Sequence, residues 1–557
     1  MTTTTKLRLG LLALFVCLYL LPLGARPLME PDETRYAEVP REMLATGNWV
    51  APHLDGLRYF EKPPLGYWAN AISMKLLGGS AFAIRLPSAL SVGLSALVIL
   101  LLGRRFLPPE EAWAGPLASL IFLTSGEVIA VGTFSVMDSM LSAALTLTLA
   151  AFLMATQARP RSSGERGWLV AAGVSCGIAF LLKGFLALVV PGVSVGAYLL
   201  WERRGRDLWR LAWLPLVVAT LTVLPWAGAI WRREPDFWSY FFWVEHVHRF
   251  LGGGGAQHPQ GFWFFFLFGP LMFMPWSFLA PAAVRGLRQS GPVASETRTL
   301  IRFCLCWFGL PFLFFSLSSG KLLTYILPCF PPLAMLTSLG LLAALRAGRE
   351  RGVNLGAGAL GVVFLLAGLG LLLVQTVGLP GVTPPYPAAW QWRLGLLGLS
   401  GFAGLSILAA LVREPGTKLI LFGLGPVALF LVAPFIMPPQ SIERKSPSVF
   451  LDQHRPEIAA DTVIFSDEDP LRAVCWAFKR DDVTIVGGGG ELSYGLSYPD
   501  ARGRMIAPEQ LAAALAAHRG QAVLVAASDN YRTWRQQLPP PRRSYSSGPK
   551  GYVLAWY

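Results

Sequence analysis

Residues 353–378 read VNLGAGALGVVFLLAGLGLLLVQTVG and carry no charged side chain. At about 1.5 Å per residue, a helix of that length exceeds the ~30 Å hydrocarbon core of a bilayer. The run therefore predicts a transmembrane helix. Similar apolar runs stand at 9–25, 81–103, 113–132, 136–156, 168–183, 186–201, 211–230, 262–283, 300–317, 322–345, 392–412 and 417–437. About thirteen spans are expected. Of the 557 residues 54% are hydrophobic, and the mean hydropathy is +0.49. A soluble chain of this size needs no such series of runs, so the predicted fold class is a polytopic α-helical membrane protein.

The basic residues set an expected orientation. Arg104 and Arg105, Arg159 to Arg166, Arg203 to Arg206, Arg285 and Arg288, Arg346 to Arg351, then Arg413 and Lys418 fall in every second loop. The positive-inside rule places those loops in the cytoplasm. The run at 9–25 follows Lys6 and Arg8 and lacks a convincing cleavage site, so it reads as a retained first span. An odd number of spans puts loops 26–80 and 231–261, and the C-terminus, on the outer side.

From 440 to 557 the long runs stop. Short β-type runs at 462–466, 483–486, 522–526 and 552–556 alternate with helical patterns at 471–478 and 508–518. This predicts a small α/β domain, set apart from a membrane domain of residues 1–439. Gly487 to Gly490 follow a strand but lack the spacing of a phosphate loop, and read as a flexible turn.

Only 14% of the chain is charged, yet residues 29–68, MEPDETRYAEVPREMLATGNWVAPHLDGLRYFEKPPLGYW, hold eleven charged groups. Interleaved carboxylates and cations beside a membrane suit a polar ligand, zwitterionic or phosphorylated. Pro31 stops the preceding segment, Asp32 can cap the helix that follows, and Pro40 should kink or restart it. Asp32, Arg35 and Tyr36 share a face by i, i+3, i+4 spacing. The bland alternative is an amphipathic interface helix with salt bridges. In Tyr59-Phe60-Glu61-Lys62-Pro63-Pro64 the prolines present Glu61 and Lys62 on an extended backbone, and Lys62 suits a phosphate. The alternative there is a plain turn.

Further along, Asp138 and Lys183 are charges in apolar surroundings, which predicts partners or function. In 236–250 we favour Tyr240 and Arg249 as ligand contacts. Glu245 with His246 or His248 forms a weak metal candidate, and Gly252 to Gly255 suit a mobile lid. Lys321, in Ser318-Ser319-Gly320-Lys321-Leu-Leu-Thr-Tyr325, is either a snorkelling anchor or a phosphate contact. The six cysteines read as packing residues. The net charge of +14 comes mostly from arginine and carries no nucleic-acid motif.

The runs Glu30-Pro-Asp-Glu-Thr-Arg-Tyr-Ala-Glu, Phe60-Glu-Lys-Pro-Pro-Leu, Phe242-Trp-Val-Glu-His and Gly320-Lys-Leu-Leu-Thr-Tyr-Ile-Leu-Pro resemble those of the bacterial lipid A aminoarabinose transferases. These are GT-C-type glycosyltransferases related to protein O-mannosyltransferases. The resemblance implies an inner-membrane enzyme with a periplasmic site and a periplasmic C-terminal domain. It would move 4-amino-4-deoxy-L-arabinose from undecaprenyl phosphate to a phosphate of lipid A or its precursor, giving polymyxin resistance. Asp32, Glu33 and Asp138 are then the catalytic candidates. Arg35, Tyr36, Arg58, Tyr59, Glu61, Lys62, Lys183, Tyr240, His246, Arg249, Lys321 and Tyr325 would bind substrates. Glu61 or Glu33 would recognise the sugar amine. No cofactor, metal or nucleic acid is expected, and a monomer is. The alternatives are a related transferase acting on protein or another glycan, and a lipid transporter.

Overall fold

The structure, a computed structural model, describes residues 3–248, 259–289, 291, 293–378 and 382–557. The chain divides into two compact units. One comprises Met1–Leu23 and Pro87–Ile436, the other Gly24–Leu86 and Met437–Tyr557. The first loop, counted above with the membrane domain, therefore belongs to the same unit as the C-terminal segment.

The first unit is helical. Among the described residues, ten helices are long and apolar enough to cross a bilayer. Two further runs are bent pairs, Pro109–Leu123 with Gly126–Thr133 at 62° and Phe264–Met272 with Trp276–Gln289 at 100°. Counting each pair as one span gives twelve, and Leu186–Trp201 is a shorter apolar helix. All thirteen expected runs have helical counterparts; the count of ten to twelve reflects the two bent pairs, whose breaks hydropathy does not register, and the shortness of Leu186–Trp201. The breaks meet. The Gly126 N–H donates to the Met274 carbonyl at 2.8 Å, and Trp276 Nε1 donates to Thr124 Oγ1 at 2.9 Å. Backbone freed inside a bilayer must find a protein partner, and each broken span supplies one to the other. Small residues bring helices close: a Cβ on Gly286 would lie 2.0 Å from the Gly340 carbonyl oxygen.

The second unit starts with α1, Asp32–Thr46, which ends at Gly47 with φ 71°. Asp32 does not cap it as expected. Pro31 holds the cap position without a side-chain bond, and Asp32 is the first helical residue, where its charge still suits the helix dipole. Nor does Pro40 break the helix. A proline removes the N–H that would bond to the carbonyl four residues earlier, here that of Tyr36. Asn70 Nδ2 supplies the missing donor at 2.9 Å from α2, Leu65–Leu77. Between these helices, β1 (His53–Leu54) pairs with β2 (Leu57–Arg58). Their turn places Asp55 at φ 56° and Gly56 at φ 67°, the Asp-Gly pattern of a tight hairpin.

The C-terminal part runs β3 (Val463–Asp467), α3 (Leu471–Phe478), β4 (Thr484–Val486), β5 (Met505–Ile506), α4 (Leu511–Ala517), β6 (Ala522–Ala527), α5 (Ser528–Trp534), β7 (Arg543–Ser546) and β8 (Tyr552–Trp556). The sheet order is β5-β4-β3-β6-β8-β7, with β3 to β6 parallel and β8 antiparallel to both its neighbours. Phe465, Leu511, Leu515, Leu524 and Ala555 are buried at its centre. The two strands not anticipated lack an apolar pattern: β5 has two residues and β7 is exposed along its length. Leu28, Ala37, Met74, Ile84 and Trp476 form a second buried cluster. That shared core joins two segments far apart in sequence.

Candidate active site

Glu33 anchors the first loop. It is 0% exposed, with Arg26 Nη1 at 2.6 Å and Arg85 Nε at 2.7 Å. Arg85 also donates to the carbonyls of Arg26 and Pro27 at 2.9 and 2.8 Å. Burial works to raise the Glu33 carboxyl, but the two guanidinium groups hold it below the usual range. A carboxylate so enclosed cannot face a ligand. Its expected catalytic and amine-binding roles are corrected to that of a clamp on the loop.

One position earlier, Asp32 is 52% exposed. It heads a row of alternating charges. Arg35 Nη1 lies 3.0 Å from Asp32 Oδ1. The other edge of Arg35 grips Glu491, Nη2 at 2.9 Å and Nε at 3.2 Å. Glu491 also pairs with Arg472, which lies 3.9 Å from Glu30. Burial works to raise Glu491, yet Arg35 and Arg472 outweigh it and hold the carboxyl at about 2. Glu30 is closed off differently: burial dominates and lifts it to about 7, and the Ala473 N–H donates to its Oε1 at 2.8 Å.

The second loop motif joins this row. The Tyr59 hydroxyl lies 2.9 Å from both Glu61 Oε2 and Glu491 Oε2. Lys62 Nζ donates to the Tyr36 hydroxyl at 2.7 Å, and the Tyr36 and Tyr67 rings are 6.0 Å apart. Thus Tyr59, Glu61 and Lys62 join Asp32, Arg35 and Tyr36, of which spacing placed only the last three on one face. Arg58 is occupied by Asp500 at 2.7 Å and stacks over Tyr498.

In the helical unit, Lys183 Nζ pairs with Asp138 Oδ1 at 2.6 Å and lies 5.0 Å from the Tyr325 ring centroid. Lys321 is buried and donates to the carbonyls of Gln260 and Ser318. Its ammonium latches two backbone segments, which replaces the phosphate contact expected from sequence. Tyr240 and Glu245 are half-buried in the helix Tyr240–His248. The His246 side chain, Arg249 and the glycines 252–255 lie outside the described residues. Among the described residues no three His, Cys, Asp or Glu side chains group to hold a metal.

Residues 4–241 match the family of dolichyl-phosphate-mannose-protein mannosyltransferases, and 442–556 match the arabinosyl transferase ArnT C-terminal domain. The undecaprenyl phosphate-α-4-amino-4-deoxy-L-arabinose arabinosyl transferase of Shewanella sediminis is 37% identical, covering 98% of this chain and 96% of that one. Its counterpart from Aeromonas hydrophila is 39% identical over 95% of this chain and 94% of that one. The chain belongs to this arabinosyl transferase family. The crystal structure of ArnT from Cupriavidus metallidurans bound to undecaprenyl phosphate shares the fold, with a TM-score of 0.80, 23% identity and coverage of 100% and 98%. The archaeal oligosaccharyltransferase AglB from Archaeoglobus fulgidus aligns at TM-score 0.55 and 11% identity, over 94% of this chain and 69% of that one. The GT-C-type architecture expected from the motifs is therefore the architecture of this arabinosyl transferase.

Four residues escaped the sequence reading. Arg26 and Arg85 flank the first loop, and only the oddity of Arg85 within an apolar run signalled it. Glu127 is a buried acid whose Oε1 has no hydrogen-bond partner among the described residues, and the same signal was present. Glu491 gave a subtler sign, as the first charged residue after the four-glycine turn.

Proposed function

We propose that the chain moves 4-amino-4-deoxy-L-arabinose from undecaprenyl phosphate to a phosphate group of lipid A, at the periplasmic face of the bacterial inner membrane. One observation carries this reading. The first-loop cluster with a single well-exposed carboxylate, Asp32, occurs in a chain that matches arabinosyl transferases along nearly its whole length.

The chemistry follows from charge. An acceptor phosphate is largely ionised near neutral pH, so it needs no strong base. Its oxygen attacks the anomeric carbon. The bond from that carbon to the undecaprenyl phosphate oxygen breaks, and the electron pair leaves with the lipid phosphate. Asp32 balances positive charge developing at the anomeric centre and orients the acceptor. Lys62 suits the phosphate of donor or acceptor. Of the two carboxylates expected at the sugar amine Glu61 remains, buried against the Tyr59 hydroxyl, a neutral partner that leaves its charge uncompensated at that bond. The reaction as written needs no metal.

The likeness of residues 4–241 to protein mannosyltransferases supports a second reading, transfer to a protein hydroxyl. The C-terminal match favours arabinosyl transfer over mannosyl transfer. The test is lipid A mass in a strain lacking its own aminoarabinose transferase, complemented with wild type or Asp32→Asn. An added aminopentose with the wild type alone is the expected result. Unchanged lipid A, with protein and donor lipid both present, would redirect the assignment to protein acceptors.

A further inference from the structure

We propose that Glu491, in the C-terminal part of the chain, is a positioning residue for sugar transfer, acting through Arg35 on Asp32 and through Tyr59 on Glu61. The inference rests on the reading that Asp32 acts at the substrate.

Three observations carry it. First, Glu491 is the point where both loop motifs meet. It takes two donors of Arg35, at 2.9 and 3.2 Å, and its Oε2 lies 2.9 Å from the Tyr59 hydroxyl. The motifs also touch directly, Lys62 Nζ to the Tyr36 hydroxyl at 2.7 Å, but among the residues described at the site Glu491 is the one from outside the two motifs that bonds both. Second, Arg35 is poorly placed to be a phosphate ligand itself. Its Nε, Nη2 and Nη1 each have a carboxylate partner. What remains for it is to hold Asp32. A guanidinium gripped along one edge by a carboxylate is fixed in plane and direction, so the Nη1 that reaches Asp32 is fixed too. Third, Glu491 is itself firmly set. Its side chain is 8% exposed, Arg472 holds it from the other side, and it emerges directly from the glycine turn. There Gly487 and Gly490 adopt φ 98° and 45°. These left-handed φ values suit glycine, so a side chain at Gly487 or Gly490 would strain the turn that carries Glu491. The turn read from sequence as merely flexible is a mount.

The row Arg472, Glu491, Arg35, Asp32 therefore runs from a buried cation to the exposed carboxylate. Reacting groups must be held to within a fraction of an ångström, and a misplacement of about 1 Å from a remote change can cost ~100-fold in rate. Glu491→Gln keeps the shape but removes the charge that grips Arg35. Arg35 then has Asp32 as its remaining carboxylate and can swing toward it.

The test uses the full-length protein reconstituted in lipid vesicles with donor lipid and lipid A. Expected for Glu491→Gln is a fall in kcat of about 10-fold or more, with KM for the donor lipid within about twofold, and a folded protein by thermal melt. Glu491→Asp keeps the charge and should recover part of the loss. Because Glu491 acts through Arg35 as well as Tyr59, the double variant Glu491→Gln/Arg35→Lys should lose clearly less than the product of the two single losses. Multiplying losses, or a wild-type kcat in folded Glu491→Gln, would overturn the proposal. If Glu491→Gln does not fold, Glu491→Asp decides, with wild-type kcat again counting against it. Asp32→Asn separates the two readings. If it stays active, the underlying reading of Asp32 has failed. If it is inactive while Glu491→Gln is fully active, only the positioning role has.

Discussion

Asp32 and Glu33 are adjacent, carry the same charge, and do opposite work. Asp32 is exposed and its pair with Arg35 spans one helical turn, so that pair is worth no more than about 1 kcal/mol. Asp32→Asn should abolish transfer while leaving the melting temperature nearly unchanged. Glu33 is enclosed by Arg26 and Arg85, and removing its charge strands two buried cations. Glu33→Gln should cost about 3–5 kcal/mol, read as a large drop in thermal stability with activity lost through unfolding. From sequence both belong to the catalytic set, because adjacency and charge do not reveal which side chain points inward. The sign available was indirect: Arg26 and Arg85 both needed a counter-charge.

A second residue-scale expectation concerns pH. Burial outweighs the Arg504 partner and lifts Asp55 to about 7, and Glu30 stands at about 7 for the same first cause. In the folded protein these groups hold protons more tightly than in the unfolded chain. Their contribution is therefore complete below the ordinary carboxylate range and is lost as pH rises toward 7. The wild type should melt higher near about pH 5 than near about pH 8. Asp55→Asn should narrow that difference, since asparagine is neutral and tolerates the left-handed backbone at this position. An unchanged difference in Asp55→Asn would count against Asp55 as its source.

At the scale of elements, proline 40 teaches most. A proline inside a run of helical sequence predicts a kink, and α1 continues through it because Asn70 on α2 bonds the carbonyl that proline leaves free. That rescue is a long-range pairing, invisible to local pattern. Asn70→Leu should leave the Tyr36 carbonyl unsatisfied, at about 1–3 kcal/mol, and disturb Tyr36, whose hydroxyl receives Lys62. A lower melting temperature together with a raised KM for the donor lipid is the expected outcome. The long periodic elements were legible: the spans, and four strands and two helices of the C-terminal part, lie within a few residues of their expected places. The Asp-Gly turn of the β1–β2 hairpin was equally written in the sequence and was overlooked among the charges around it. Breaks at 124–125 and 273–275 could not be read from hydropathy, because the broken and the straight helix have the same composition.

At the scale of the whole molecule, the first loop and the C-terminal segment form one compact unit although about 350 residues separate them in the chain. Removing residues 440–557 takes away Glu491, Arg472 and the shared core around Trp476. The truncated protein should insert its spans yet add no aminopentose to lipid A. Retained activity would show that the loop holds its geometry alone. Chain order concealed this arrangement, since a linear reading assigns neighbouring residues to the same domain. The family motifs marked the loop as important without saying what completes it.

That arrangement has a consequence for biogenesis. Ribosomes add about 5–20 residues per second, so the first loop emerges roughly 20–70 seconds before the segment that packs with it in one unit. During that interval a nascent chain can already occupy the membrane and meet lipid-linked sugar, but its Arg35 has no Glu491 to grip. On the proposed role of Glu491, a product terminated before residue 491 should be silent rather than a source of misdirected transfer.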